Sequence, residues 1–233
     1  MNAKVYRTAI AATALVALLA AGAQASNVVG YIKVEIPAGL SLVSVPFEMV
    51  GGGVQTLDSV FGDKLPDSSQ VIMFTLGVGY EVFTYIVEDE PEDTGWFKGR
   101  TPAGSTPLPR GAGFWVRNSS ANAIELVLKG EAPVADVTVP LAFGLQIISY
   151  GFPSEADVNT VGGFTPADTD QIIAFDPNEG FVVYTYVEEE TPEDTGWYKG
   201  RNKVELKLQP GQGYWYRRGG ASTSWTQQKN YSL

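Results

Sequence analysis

There is no cysteine and no histidine anywhere in the 233-residue chain. Without histidine, Ser-His-Asp and Cys-His nucleophile systems, imidazole-ligated metals and the usual near-neutral proton shuttle are all excluded. Without cysteine there are no disulfides, so apolar cores alone must hold the fold. Positive charge is also scarce, with 16 Lys and Arg against 26 Asp and Glu. A chain this acidic repels phosphate backbones and anionic membrane surfaces, which argues against nucleic acid as a partner. Long apolar runs are missing except for Ile10 to Ala21, which is shorter than the roughly 20 residues of a membrane-spanning helix.

That one run has the form of a secretory leader. Lys4 and Arg7 precede it, and the small-x-small triplet Ala23-Gln24-Ala25 follows, so cleavage is expected before Ser26. Loss of Lys4 and Arg7 without any acid takes the formal charge from −10 to −12. An exported protein is expected, periplasmic, cell-surface or extracellular, with no transmembrane segment after cleavage. What remains is long enough for one or two domains.

The chain contains one sequence twice. Pro91-Glu92-Asp93-Thr94-Gly95-Trp96-Phe97-Lys98-Gly99-Arg100 returns as Pro192 to Arg201, changed only where Phe97 becomes Tyr198. Over Gln70–Arg100 and Gln171–Arg201, 17 of 31 positions are identical. Gly111 to Arg117 matches Gly211 to Arg217, and Pro37 to Ser44 matches Pro140 to Ser149 with a small insertion. Such self-similarity marks a duplicated structural unit. A residue needed by a single active centre has no reason to occur twice, whereas a fold-making or binding residue does.

Short runs rich in Val, Ile, Tyr and Phe, punctuated by Gly and Pro, are the pattern of an all-β protein. The expectation is two tandem antiparallel β units, sandwich or barrel-like, packed together. The first spans residues 26–131 and the second 132–233, with the boundary near Glu131-Ala132-Pro133. Asp176-Pro177-Asn178-Glu179-Gly180 resembles half a calcium loop, but the matched Thr75 to Gly79 keeps only its glycine, so a hairpin turn accounts for both.

Three constellations carry candidate chemistry. Strand alternation places Trp96, Lys98 and Arg100 on one face, as it does Trp197, Lys199 and Arg201. A ring with two cations is a platform for a sugar or small anion. Phe83, Tyr85, Trp115, Tyr184, Tyr186 and Trp215 form aromatic contact surface for the sister unit, another chain or a ligand. The acidic loops carry Glu88, Asp89, Glu92, Asp93, Glu189, Glu190, Glu193 and Asp194, with Glu90 and Glu188 beside them. Mutual repulsion there calls for nearby Lys and Arg or a hard cation, so calcium is the one cofactor the chain admits. Two carboxylates suffice for a glycosidase, but no pair is singled out, and no enzyme is expected.

Asn27-Val28-Val29-Gly30-Tyr31, Pro37 to Val43 and the Gly-x-Gly-aromatic-Trp-x-Arg strand at Gly111–Arg117 together resemble a group of exported bacterial β-repeat proteins. The resemblance implies an exported β-repeat protein and brings no activity and no functional residues with it. The expected function is non-catalytic surface contact or self-association in a cell envelope or matrix, through aromatic faces and strand edges. The alternative is a glycan- or anion-binding module with two equivalent Trp-Lys-Arg sites.

Overall fold

The computed structural model describes residues 28–232; the expected leader lies outside them. In the first unit the strands are β1 (Val29–Ile36), β2 (Gly39–Ser44), β3 (Gln55–Thr56), β4 (Gln70–Thr75), β5 (Gly79–Ile86), β6 (Gly95–Lys98), β7 (Thr101–Pro102), β8 (Pro107–Leu108), β9 (Gly113–Asn118) and β10 (Ile124–Glu131). One short helix, α1 (Leu57–Val60), is capped by Thr56 and Ser59. The second unit repeats the series as β11 (Val137–Leu141), β12 (Gly144–Ile148), β13 (Ala156–Asp157), β14 (Gln171–Asp176), β15 (Gly180–Val187), β16 (Gly196–Lys199), β17 (Asn202–Lys203), β18 (Lys207–Leu208), β19 (Tyr214–Arg218) and β20 (Thr223–Gln227).

Each unit is a six-stranded antiparallel sheet, ordered β2-β9-β4-β5-β6-β7 in the first and β12-β19-β14-β15-β16-β17 in the second. Two-stranded ribbons, β1-β10 with β3-β8 and β11-β20 with β13-β18, complete each unit. The cores lie on one face of each sheet. Val71, Phe83, Trp96 and Phe114 from the first sheet pack with Ile36, Leu126 and Leu128 from the β1-β10 ribbon. Ile172, Trp197, Tyr214 and Tyr216 pack with Val139, Leu141 and Trp225 in the second. The β1-β10 pairing runs from Val29 to Glu131 and the β11-β20 pairing from Val137 to Gln227, so each unit closes on its own ends.

The two sheets meet through their outer faces. Leu42, Trp115, Ile147 and Trp215 form a third buried cluster with Ile72, Phe74, Ile173 and Phe175. The contact is reciprocal: Trp115 meets Phe175 edge-on at 4.9 Å, and Trp215 meets Phe74 at 5.1 Å. Ser44 N–H donates to Gly211 O (2.9 Å) and Ser149 N–H to Gly111 O (2.8 Å). A Cβ on Gly113 would stand 3.0 Å from Gly213 Cα, and one on Gly213 3.2 Å from Gly113 Cα. These glycines mark a pseudo-two-fold axis where only hydrogen fits between backbones.

The Asp176–Gly180 segment is a hairpin turn. Asp176 accepts the N–H groups of Asn178 (2.7 Å) and Glu179 (3.0 Å), which holds its carboxyl below the usual range, and Gly180 has φ +82°.

Candidate functional site

The register of β5 and β6 decides where the repeated strand points. Tyr85 stands opposite Trp96, and both rings enter the core, 5.4 Å apart, with Phe61 5.7 Å from the indole. Trp96 is 2% exposed and Trp197 1%. The expected Trp-Lys-Arg platform is therefore corrected: neither indole can meet a ligand. Lys98 lies at the rim of that face and pairs with Glu81. Gly99 and Gly200, both at φ +63°, end the strand alternation before Arg100 and Arg201. Lys199, Arg100 and Arg201 are exposed. The indole N–H groups of Trp96 and Trp197 are buried without a hydrogen-bond partner.

The aromatic contact set divides in two. Phe83 and Tyr85 are buried in the first core, and Tyr184 and Tyr186 pack partly buried against the second, so these four are corrected from contact surface to core. Burial raises the phenol pKa of Tyr85 and Tyr186. Trp115 and Trp215 lie on the opposite face and form the contact between units.

The acidic loops are exposed throughout Glu88–Asp93 and Glu188–Asp194. Each is pinned by a threonine hydroxyl: Thr94 Oγ1 accepts Glu88 N–H at 3.0 Å and donates to its carbonyl, and Thr195 does the same for Glu189 at 2.9 Å. Among the described residues no group of three or more Asp or Glu side chains is disposed around a common point for a metal ion.

The outer faces remain. In unit one this face carries Leu40 and Leu42 on β2, Arg117 and Trp115 on β9, Gln70, Ile72 and Phe74 on β4, Thr84, Val82 and Tyr80 on β5, and Phe97 on β6. The sheets overlap mainly through three strands, with β2 against β14, β12 against β4 and β9, and β9 on β19 at the glycine axis, and Phe181 at the start of β15 also stands edge-on to Trp115 at 6.2 Å. From the strand orders, β5-β6-β7 and β15-β16-β17 project past the overlap on opposite sides. Their outer faces keep apolar side chains in solvent: Tyr80 (61%) and Val82 (40%) on one, Phe181 (58%) and Val183 (40%) on the other. Leu40 and Leu145 border them, also exposed.

The copies differ less on this face than in the cores. Outer positions Leu40/Leu145, Arg117/Arg217, Trp115/Trp215, Gln70/Gln171, Ile72/Ile173, Phe74/Phe175, Val82/Val183 and Thr84/Thr185 are identical, whereas Leu42/Ile147, Tyr80/Phe181 and Phe97/Tyr198 differ. Core positions Val45/Tyr150, Val71/Ile172, Met73/Ala174, Phe83/Tyr184, Phe114/Tyr214 and Val116/Tyr216 differ, whereas Phe47/Phe152, Tyr85/Tyr186, Trp96/Trp197 and Leu108/Leu208 are identical. A chain scored for hydrophobic periodicity alone cannot reveal this, because both faces are apolar; aligning the two copies face by face does.

Beside the overhang of unit one lies a cleft of about 310 Å³ lined by Ile86, Glu88, Asp93, Phe97, Gly99 and Arg100. The matching loop of unit two is bonded differently. In unit two the Tyr198 hydroxyl donates to Asp194 O at 2.5 Å, and Lys203 bonds Glu193 O, closing the loop down. Phe97 has no hydroxyl to do so. Two further clefts, about 300 and 390 Å³, flank the pseudo-axis at Leu42–Phe175 and Ile147–Phe74. Arg110 at the second is held by Glu48 (2.7 Å) and by contacts to the following unit, and burial lowers its pKa.

One buried charged group is structural. Asp170 accepts from the Tyr216 hydroxyl (2.5 Å), Arg218 Nη1 (3.1 Å) and the Gly219 and Ala167 backbones (both 2.8 Å). The carboxylate is fully buried and takes four hydrogen bonds, three on Oδ2 and one on Oδ1. Comparison with protein-family models, curated proteins and solved structures finds no match.

Proposed function

We propose that this is an exported, non-catalytic contact protein that works through the projecting halves of its two sheets. The observation that carries the reading is exposed apolar surface at equivalent places on both projecting faces: Tyr80 (61%) and Val82 (40%) in unit one, Phe181 (58%) and Val183 (40%) in unit two. Contiguous exposed apolar surface of this kind marks interaction sites.

Contact runs through faces and not through free strand edges. The β2 and β12 edges are partly closed by the sister unit's glycine loops, and β7 and β17 are two residues long, with Pro102 in β7. Short, proline-bearing edges resist strand addition. A photo-crosslinking residue at position 82 or 183, installed in the producing cell, is expected to give a covalent adduct at both sites. Absence of adducts at both positions would overturn the reading. A second reading, a glycan or small anion at Phe97 and Arg100, is favoured by the cleft between them; loss of a titrated glycan on Phe97→Ala at unchanged melting temperature is its test.

A further inference from the structure

We infer that the cleft of about 300 Å³ beside β2 is a binding site for a small neutral ligand carrying an amide, as a carboxamide or an acetamido group. The inference does not depend on the contact reading above. The cleft lies where unit one meets the Gln209–Gln212 loop of unit two, and Leu42, Phe175, Pro177 and Pro210 give it apolar walls. Its polar groups are few, and most are spent. Lys33 pairs with Glu125 at 2.8 Å. Gln209 Nε2 donates to Glu155, and Gln212 Oε1 accepts the Tyr214 hydroxyl. Ser41 and Glu35 are left over. Ser41 is 7% exposed, and its hydroxyl has no hydrogen-bond partner among the described residues. Glu35 is exposed and makes no ion pair among them.

The twin cleft at Ile147–Phe74 shows which chemistry is missing. In strand register Ser41 stands opposite Val116 and Gln146 opposite Tyr216, so serine and glutamine hold the same place in the two units. The Gln146 amide donates to Pro140 O (2.7 Å) and accepts the Ala142 N–H (2.8 Å). In unit one the counterparts of Pro140 and Ala142 are Glu35 and Pro37. Proline has no N–H, and serine carries no amide. A hydroxyl buried without a partner is costly, and one in a native interior calls for an explanation. An amide from outside supplies one: its carbonyl accepts from Ser41 Oγ, and its N–H donates to the Glu35 carboxylate. The hydroxyl sits beneath the cleft wall, and a turn about its single side-chain torsion between staggered wells brings it to the ligand. A concave site with apolar walls and a few convergent polar groups is the usual form of a small-molecule site. Glu35 and the net charge of −10 repel anions, which leaves a neutral ligand.

Saturation-transfer NMR on protein purified from cells expressing the full-length chain tests this with N-acetylglucosamine, N-acetylglutaminamide and glucose, which has no amide. At least one amide probe is expected to bind and glucose is not; the probe that binds separates an acetamido sugar from a peptide-like carboxamide. Ser41→Ala should weaken that binding roughly tenfold, the worth of one hydrogen bond. The same variant should melt no lower than wild type, because the hydroxyl it removes has no internal partner. Glu35→Ala, at an exposed position, should weaken binding to a similar extent without changing the melting temperature. No binding of either amide probe, glucose bound as well as N-acetylglucosamine, or binding unchanged by either substitution would overturn the site. A melting temperature lowered by Ser41→Ala would overturn the unpartnered hydroxyl on which it stands.

Discussion

Adding one methyl group at the pseudo-axis should push the two units apart. A Cβ on Gly113 would stand 2.6 Å from Ile147 Cγ2, 3.0 Å from Gly213 Cα and 3.2 Å from Ile148 O. The last two are backbone and cannot rotate away. Ile147 is itself buried against Leu42, Trp115 and Trp215, so the strain spreads through the inter-unit cluster. Overpacking of this kind costs about 1–3 kcal/mol, which for a chain of this size lowers the melting temperature by about 2–4 °C per kcal/mol. Gly213→Ala meets Val43 O at 3.0 Å and Leu42 Cγ at 3.1 Å and should behave alike. Because each new methyl group approaches the other glycine, the double variant should lose more than the sum of the singles, by about 0.5–3 kcal/mol of coupling. Urea unfolding followed by tryptophan fluorescence reads this, with Gly162→Ala as control, whose nearest neighbour is a flexible Gln228 side chain at 3.4 Å. Single variants no less stable than the control, or strictly additive effects, would refute the close-packed axis.

Trp96→Ala and Trp197→Ala should each cost about 3–5 kcal/mol, the range for emptying a buried aromatic site; a melting temperature unchanged by either would return these residues to the surface. At high pH the fold should be lost over a window set by its buried phenols. Burial pushes Tyr150 and Tyr231 up to about 12 from the usual 10.0 and raises Tyr214 and Tyr216 as well. A pKa raised by folding contributes stability fully below the unfolded value and loses it as pH rises through the folded one. Tyrosinate absorbance and circular dichroism should therefore change together between about pH 10 and pH 12; titration of every tyrosine near 10 with the fold intact would contradict the burial.

The strands were legible because their signals are local. The strand Gln70–Thr75 is the run Gln-Val-Ile-Met-Phe-Thr, rich in the residue types that mark a strand from sequence alone. The two-residue strands β3, β7, β8, β13, β17 and β18 carry no periodicity to detect, since two residues cannot alternate. Face assignment failed for a related reason. Strand alternation correctly separates Trp96 from Phe97, but the sign of the faces is set by the register against Tyr85 and by what the ribbons bring to cover them. Lys98 and Arg100 suggested an exposed side; a long basic stem at a sheet rim is compatible with a buried ring two residues earlier.

The duplicate also shows where the units were free to change. Unit two secures its loops with the Asp170-Tyr216-Arg218 group, whereas unit one has Ser69, Val116 and Asn118 at the same places. Asn118 there bonds Ile36 O and Asn122 O, and Ser69 faces Ser119 at 3.1 Å. A buried charge network and a neutral one perform the same task, so the interior is constrained only by satisfying its own polar groups and volume. The overlap explains identity at Trp115/Trp215 and Phe74/Phe175, because each ring must fit the other's copy. The same fit reaches the neighbouring strand: Phe181 stands edge-on to Trp115 at 6.2 Å and Tyr80 lies 5.1 Å from Phe74, so this position keeps a ring in both copies although its residue changes.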